Sequence, residues 1–502
     1  MARPIPFHSL GEFIRYLDSR GQTRRIGEPV SLALEMTALH QRVLRAGGPA
    51  LVFDQAIHAS GQRAAMPVVT NVFGTAERVA WGLGSDPAGL DALGQRLADL
   101  RMPRPPGSLH DLLARWPLAK AALHAQARRV GSPPVQQRVY RGPEMDLGLL
   151  PVQQCWPGEP APLITFGMVI TRPPDADPAD SSRYNAGIYR MQLLGRDRLI
   201  MRWLMMRGGA AHHRAWAARG EAMPCAVAIG ADPASLLAAA LPLPEDISEL
   251  NFAGLLRGAR TRLARAVSQP LLVPAEAEIV IEGTVAPDET APEGPYGDHT
   301  GYYNAVENFP VLRASAMTTR ADPYYLTTHT GRPPDEPSVI GAVFNELARP
   351  LIRQSLPEVQ DVWFPPEACS YRVAVVAIRK SYVGQARRVM MGLWGLLPQF
   401  TMTKVIIVVD DDINPRHWDD VLWALSTRMD PVRDSLMVPA TAIDTLDFAA
   451  EKPGLGGKMG LDATVKTGSE TSRDWPAVLS LPHEVTRKAA ALCARLGLAG
   501  KD

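Results

Sequence analysis

The densest concentration of chemistry-bearing side chains is APEGPYGDHTGYYN, Ala291 to Asn304, which sets Glu293, Asp298 and His299 among three glycines and two prolines. Glycine allows backbone geometries closed to other residues, so a loop of this composition can fix side chains around a ligand. Two carboxyl groups five residues apart can divide acid and base work when their environments separate their proton affinities. An acidic surface turn is the other reading of the same spacing. Upstream, RYNAGIYRMQLLGRDRLIMRW (Arg183 to Trp203) places Arg190 in an otherwise apolar strand, five residues after Asn185. A guanidinium there either grips a carboxylate bidentately or forms half of a structural ion pair. Glu249 opens the helix in DISELNFAGLLRG. It can complement the helix macrodipole or, with the Asn185 side-chain oxygen, offer hard ligands to Mg or Mn.

Three further segments invite chemistry. His212 and His213 are adjacent, so on a helix they diverge by about 100° and chelate poorly together, which favours surface histidines. PGLGGKMG, Pro453 to Gly460, looks like a glycine-rich loop in which Lys458 can reach an anionic cofactor, but it lacks the Ser or Thr of a phosphate loop. VIIVVDDDINPRHWDD ends a strand on Asp410, Asp411 and Asp412. That is where α/β sheets bind ligands, so a Mg-dependent phosphotransfer enzyme is one reading; caps for the following turn and helix are the other, and the favoured one.

These residues need a scaffold. The first segment, to about Gln136, reads as mainly helical, with Leu10, Phe13, Ile14 and Leu17 at helix spacing and a strand pair between Ala50 and Val72. Pro103, Pro105 and Pro106 punctuate it before a second helical run from Leu109 to Arg129. From Arg138 to about Thr328, short apolar strands alternate with Pro/Gly turns, as in a barrel or sandwich, with helical insertions at Ala211–Arg219 and Pro233–Ala240. A long helix comes next, in SVIGAVFNELARPLIRQSLP. Then YRVAVVAI, Gly384–Leu397 and KVIIVVDDD form a strand–helix–strand unit whose last strand is apolar enough for a parallel sheet. From Phe448 the chain reads as loop, ending in a helix from Pro482 to Leu496.

Composition limits the partners. The 502 residues are 46% hydrophobic and 21% charged, a soluble globular profile with room for about three domains. A net charge of +1 provides no global field to recruit nucleic acid. The four cysteines, Cys155, Cys225, Cys369 and Cys493, form no CxxC, which argues against zinc ribbons and a disulfide framework. With no signal-peptide pattern and no apolar run of about 18 residues, the expectation is a cytoplasmic protein.

NAGIYRMQLLGRDRLIMRWL, FAGLLRG, EGPYGDHTGYY, TGRPPDEPSVIG, RRVMMG and GLGGKMGLDAT occur in this order. Together they resemble the motifs of the UbiD family of decarboxylases, specifically its ubiquinone-biosynthesis branch. The resemblance implies an α/β (α+β) multidomain fold: an N-terminal mixed domain (1–136), a split β-barrel flavin domain (137–328), a C-terminal α/β oligomerisation domain behind a linker helix (329–447), and a cofactor-proximal loop with a last helix (448–502). It implies a carboxy-lyase that converts 4-hydroxy-3-polyprenylbenzoate to 2-polyprenylphenol. Vanillate or protocatechuate is the alternative substrate class, and a non-catalytic flavin-binding subunit the alternative of another kind. The latter needs no proton donor, so the set of Arg190, Glu293 and Asp298 argues against it.

By the same resemblance the cofactor is prenylated FMN, supplied by a flavin prenyltransferase, with a divalent metal (Mn) and K+. Asn185 and Glu249 match the metal ligands. Ile188, Tyr189 and Arg190, then Arg202, Trp203 and Leu204, then Arg207 and Gly208 match the cofactor-contacting stretches, with Lys458 nearby. Where the ferulate-decarboxylase branch supplies a histidine ligand, this chain has Gly208. The modified flavin acts as electron sink while the protein orients substrate and delivers a proton. Asp298 matches the proton donor, and Arg190 paired with Glu293 matches the group that orients or tunes it. A homohexamer and peripheral contact with the inner face of the cell membrane are further expectations.

Overall fold

The computed structural model describes residues 7–101, 123–241, 243, 247–397 and 399–498. The chain opens with the helix Leu10–Ser19, started by the Ser9 side chain accepting from the Glu12 amide. Its Leu10, Phe13, Ile14 and Leu17 are buried, as their spacing predicts. The helix covers a small sheet in which Ala50–Phe53 pairs in parallel with Thr23–Ile26 and antiparallel with Val68–Thr70. The strand pair expected between Ala50 and Val72 is therefore present, but a segment read as mainly helical contains a four-stranded sheet. Its fourth strand, Tyr325–Leu326, arrives from far along the chain and pairs with Val68–Val69. The expected helix at Leu109–Arg129 falls mostly outside the described residues; its last two residues, Arg128–Arg129, are a short strand beside Arg262–Arg265.

Six strands close a barrel. In spatial order they are Arg198–Met201, Asn185–Leu193, Leu163–Thr171, Met223–Ile229, Ile279–Glu293 and Glu307–Thr319. The ring shuts where Arg198–Ile200 pairs antiparallel with Val311–Arg313. Closure removes the exposed edges that an open sheet would present. The longest pairing, Ile279–Glu293 against Glu307–Thr319, slips register at Glu282/Gly283. A Cβ on Gly283 would lie 2.1 Å from the Arg313 carbonyl oxygen, so only glycine allows the two backbones this approach. The helical insertions are observed at Gly208–Ala217 and Pro233–Ala240. One continuous apolar core joins the N-terminal sheet to the barrel, running from Phe13 and Phe53 to Val227 and Ile281.

The helix Glu336–Ser355 leads out of the barrel, its Asp335 and Ser338 forming a reciprocal capping box. Beyond it lies a five-stranded sheet, in the order Val359–Trp363, Val373–Ile378, Val405–Asp410, Leu455–Ala463 and Ser435–Ala442. Its three central strands run parallel, with apolar clusters on both faces. Leu455–Ala463 contains most of the segment read as a glycine-rich loop, so the sheet crosses the expected boundary at 447/448. Glycine serves close packing there: a Cβ on Gly460 would lie 2.4 Å from Met390 Sδ. No helix among the described residues is long and apolar enough to cross a membrane.

Candidate active site

Barrel closure brings together the residues singled out in the sequence. Arg190 projects from the Asn185–Leu193 strand toward Glu293, the last residue of the Ile279–Glu293 strand. The pair is bidentate, Nε to Oε1 at 2.8 Å and Nη2 to Oε2 at 3.2 Å. The remaining Arg190 nitrogen, Nη1, donates to Asp298 Oδ2 at 2.7 Å. Glu293 is fully buried and also accepts from Arg202 Nη1 at 3.0 Å and from Asn304 Nδ2 at 3.5 Å. Every guanidinium nitrogen of Arg190 thus donates to a protein carboxylate, and the arginine bridges Glu293 and Asp298.

Asp298 has a second partner. His299 Nδ1 lies 2.8 Å from its Oδ1, and the His299 amide donates to the same oxygen. Burial pushes the Asp298 carboxyl up, but the His299 hydrogen bond and the charges of Arg190 and His299 outweigh it and hold it at about 2. Burial likewise pulls His299 down, and Asp298 and Asp444 reverse this, lifting the imidazole to about 9. Asp444 belongs to the C-terminal domain: its Oδ2 lies 3.5 Å from His299 Nε2 and accepts from Arg372 Nη2 at 2.9 Å. Neither Asp444 nor Arg372 was indicated by any sequence pattern, since only the tertiary fold carries them to the loop.

A second group surrounds Asn185. Glu249 starts the helix Glu249–Arg257 and accepts from the Ala186 amide at 2.8 Å. Burial pushes its carboxyl up to about 7, and among the described residues no arginine, lysine or histidine forms an ion pair with it. Asn185 Oδ1 fills the space beside Gly208, where a Cβ would sit 2.1 Å from it. Two helix N-termini, at Gly208 and Glu249, start without a side-chain cap hydrogen bond. Asn185 Nδ2, Trp203 Nε1 and Ser248 Oγ are buried without partners. Uncapped helix starts with orphaned donors suit a phosphate, and Asn185 Oδ1 with the Glu249 carboxylate suits a hard divalent cation. Among the described residues no three His, Cys, Asp or Glu side chains cluster as a metal site. The remaining ligands would therefore have to come from a bound phosphate or water.

The other predicted residues divide. Tyr189 is buried and its hydroxyl accepts from the Gly209 amide at 3.3 Å, while Ile188 packs partly buried against the core. Leu204 and Arg207 line a cleft of about 1190 Å³. Lys458 stands apart, on a strand rather than in a loop, donating to the Thr401 and Thr403 carbonyls. His212 and His213 are half-buried rather than on the surface, bonded to Thr171 Oγ1 at 2.9 Å and to the Ala286 carbonyl at 3.0 Å. Asp410 and Asp412 close on the buried Arg428 at 2.7 and 2.6 Å, which gives them the structural role favoured for them.

Residues next to both groups line the cleft. Ser182, Arg207, Ser248 and Asn251 line it beside Asn185, and Tyr371 and Asp444 line it beside His299. Its walls are mostly apolar and extend past Leu204, Leu255, Phe344 and Leu351.

Comparison with known proteins is consistent with this geometry. Three domain models of 3-octaprenyl-4-hydroxybenzoate carboxy-lyase match the chain: the N-terminal domain over residues 14–97, the Rift-related domain over 128–333 and the C-terminal domain over 338–463. The chain belongs to the UbiD family. Among solved structures it is similar to the UbiD-class enzyme HmfF from Pelotomaculum thermopropionicum in complex with FMN, at 28% identity and a TM-score of 0.78, covering 96% of this chain and 100% of that one. An evolved dimeric form of HmfF in complex with prFMN is also 28% identical, with a TM-score of 0.76 and coverage of 97% and 100%. The vanillic acid decarboxylase of Sedimentibacter hydroxybenzoicus, in closed form, shares the fold at a TM-score of 0.81 and 24% identity over 98% and 99% of the chains. This UbiD protein is a carboxy-lyase of the multidomain, closed-barrel architecture.

Proposed function

We propose that this UbiD decarboxylase binds prenylated FMN and removes carbon dioxide from 4-hydroxy-3-polyprenylbenzoate. When bound, that flavin supplies the electron sink for the bond that breaks. Asn185 and Glu249 would hold a divalent metal, and the uncapped helix starts at Gly208 and Glu249 would receive the cofactor phosphate. Tyr189, Arg202, Trp203, Leu204 and Arg207 form the surrounding wall. Glu293 holds Arg190, Arg190 holds Asp298, and Asp298 delivers the proton that replaces the departing carboxylate. Burial of this chain of carboxylates excludes water and strengthens each contact.

The observation that carries the substrate assignment is the cleft. Its apolar lining runs on from the Asp444 end to Leu255, Phe344 and Leu351, far more apolar wall than a bare hydroxybenzoate can cover. A prenyl tail fills such a space at about 0.8 kcal/mol per buried CH₂. The test is to co-express the chain with a flavin prenyltransferase, measure cofactor mass and Mn, and compare CO2 release from 3-prenyl-4-hydroxybenzoates of increasing tail length with vanillate and protocatechuate. Catalytic efficiency rising with tail length, and falling selectively for long tails in Leu255→Trp, is expected. Equal or better turnover of vanillate or protocatechuate would move the assignment to that class. Well-folded protein without flavin would defeat it.

A further inference from the structure

Proton delivery requires Asp298 to be protonated once in every cycle, yet its surroundings favour the carboxylate. Arg190 approaches one oxygen at 2.7 Å and His299 the other at 2.8 Å. An arginine does not release its proton, so of these two neighbours only the imidazolium can recharge Asp298. His299 is placed for this: Nδ1 faces Asp298 and Nε2 faces Asp444, 3.5 Å away, and Asp444 lines the cleft. Carboxylate, imidazole and carboxylate therefore form a line from the cleft, on the C-terminal domain, to the loop of the barrel domain.

Building on the decarboxylase reading, we infer that His299 is the proton relay of this site: the imidazolium, held between Asp298 and Asp444, passes its Nδ1 proton to Asp298. The Nδ1–H bond breaks as an O–H bond forms on Asp298. Asp298 then gives that proton to the ring carbon whose bond to carbon dioxide has broken. The ring left behind is neutral, with its remaining proton on the buried Nε2 beside Asp444, and it is recharged at Nδ1 by a proton that enters from solvent through Asp298. One proton is consumed per carboxylate lost, which balances ArCOO⁻ + H⁺ → ArH + CO2. The first transfer is uphill at rest and is drawn forward by the electron-rich carbon. His299 acts through Asp298 and never touches the reacting carbon, so it is a positioning residue with a proton to give.

The charged surroundings of His299 agree with this role. Asp298 lies on its own loop, Asp444 and its partner Arg372 come from the C-terminal domain, and Asp335, at the start of the long helix, feels the His299 charge. Arg190 stands behind Asp298, and Tyr371 lies near both Asp298 and Asp444. The carboxylates on both sides keep the ring protonated and the arginines fix those carboxylates in place.

Glutamine at position 299 can preserve a hydrogen bond to Asp298 but carries no transferable proton. In the cofactor-loaded enzyme, with a hydroxybenzoate that the wild type consumes, His299→Gln should keep its flavin and lose turnover on the order of tenfold to a hundredfold. It should also lose the alkaline limb of the kcat profile, which in the wild type falls near pH 9. Wild-type turnover in His299→Gln, or a slow variant with that limb unchanged, would overturn the relay. A measurement independent of turnover separates this from the choice of substrate. Imidazole ¹⁵N resonances of the substrate-free protein should show His299 protonated at pH 7 and titrating lower in Asp444→Asn; a neutral ring at pH 7 would overturn the relay whatever the enzyme decarboxylates. Loss of all hydroxybenzoate turnover in the wild-type holoenzyme would instead defeat the decarboxylase reading.

Discussion

At the scale of single residues, the site depends on a few buried side chains that share partners, Glu293 with Arg190 and Arg202, and Asp298 with Arg190 and His299. Asp298→Asn cannot donate the required proton, so flavin content should stay at the wild-type level while CO2 release falls by at least about a hundredfold; near-normal turnover would remove Asp298 from the proposed role. Glu249→Ala removes one of two oxygen donors, and purified protein should lose Mn and flavin together, read by metal analysis and absorbance. Gly208→Ala should do the same more gently, because its methyl group would displace the Asn185 oxygen now 2.1 Å from that position. Arg190, Glu293 and Asp298 were singled out in the sequence as a charge within an apolar strand and two carboxylates in a glycine-rich loop, and only the resemblance of their motifs linked them. The His299 to Asp444 contact was not, since nothing in the local composition of AIDTLDF points toward the barrel. Lys458 was misread because three nearby glycines look like a loop when they are in fact the small residues of a tightly packed strand.

At the scale of elements, the barrel positions Arg190 and Glu293 by register rather than by any direct link between their strands. Glu293 ends a long strand whose pairing slips at Glu282/Gly283 and again at Val285/Thr290, and the two slips together fix which residues beyond them face the interior. Gly283→Ala places a methyl group 2.1 Å from the Arg313 carbonyl oxygen, so the two backbones must separate. The expected loss is about 1–3 kcal/mol, seen as a lower midpoint in urea, with reduced activity from a displaced Glu293. Alternating apolar strands and the parallel strand–helix–strand unit were readable from periodicity alone. The closure of the ring was not, because Arg198–Ile200 meets Val311–Arg313 through a pairing that no local pattern encodes.

At the scale of the whole molecule, His299 joins the barrel to the C-terminal domain, so the stability of that junction should depend on pH. Asp298 is held at about 2, below its ordinary value, and its contribution is present above about pH 4 and lost as pH falls through 2. His299 is lifted to about 9, and its contribution is complete below about pH 6.5 and lost as pH rises through 9. The melting-temperature gap between wild type and His299→Gln should therefore be widest near pH 4–6.5 and close above pH 9.5; a gap that widens on the alkaline side would contradict the assigned charges. A different dependence arises from the short strand Tyr325–Leu326, which completes the sheet begun by Thr23–Ile26. On the ribosome, the first sheet must wait with an open edge at Val68–Thr70 until nearly the entire barrel has emerged. The N-terminal segment therefore cannot mature ahead of the barrel, and early translation arrest would leave that edge available to any other strand in the cell.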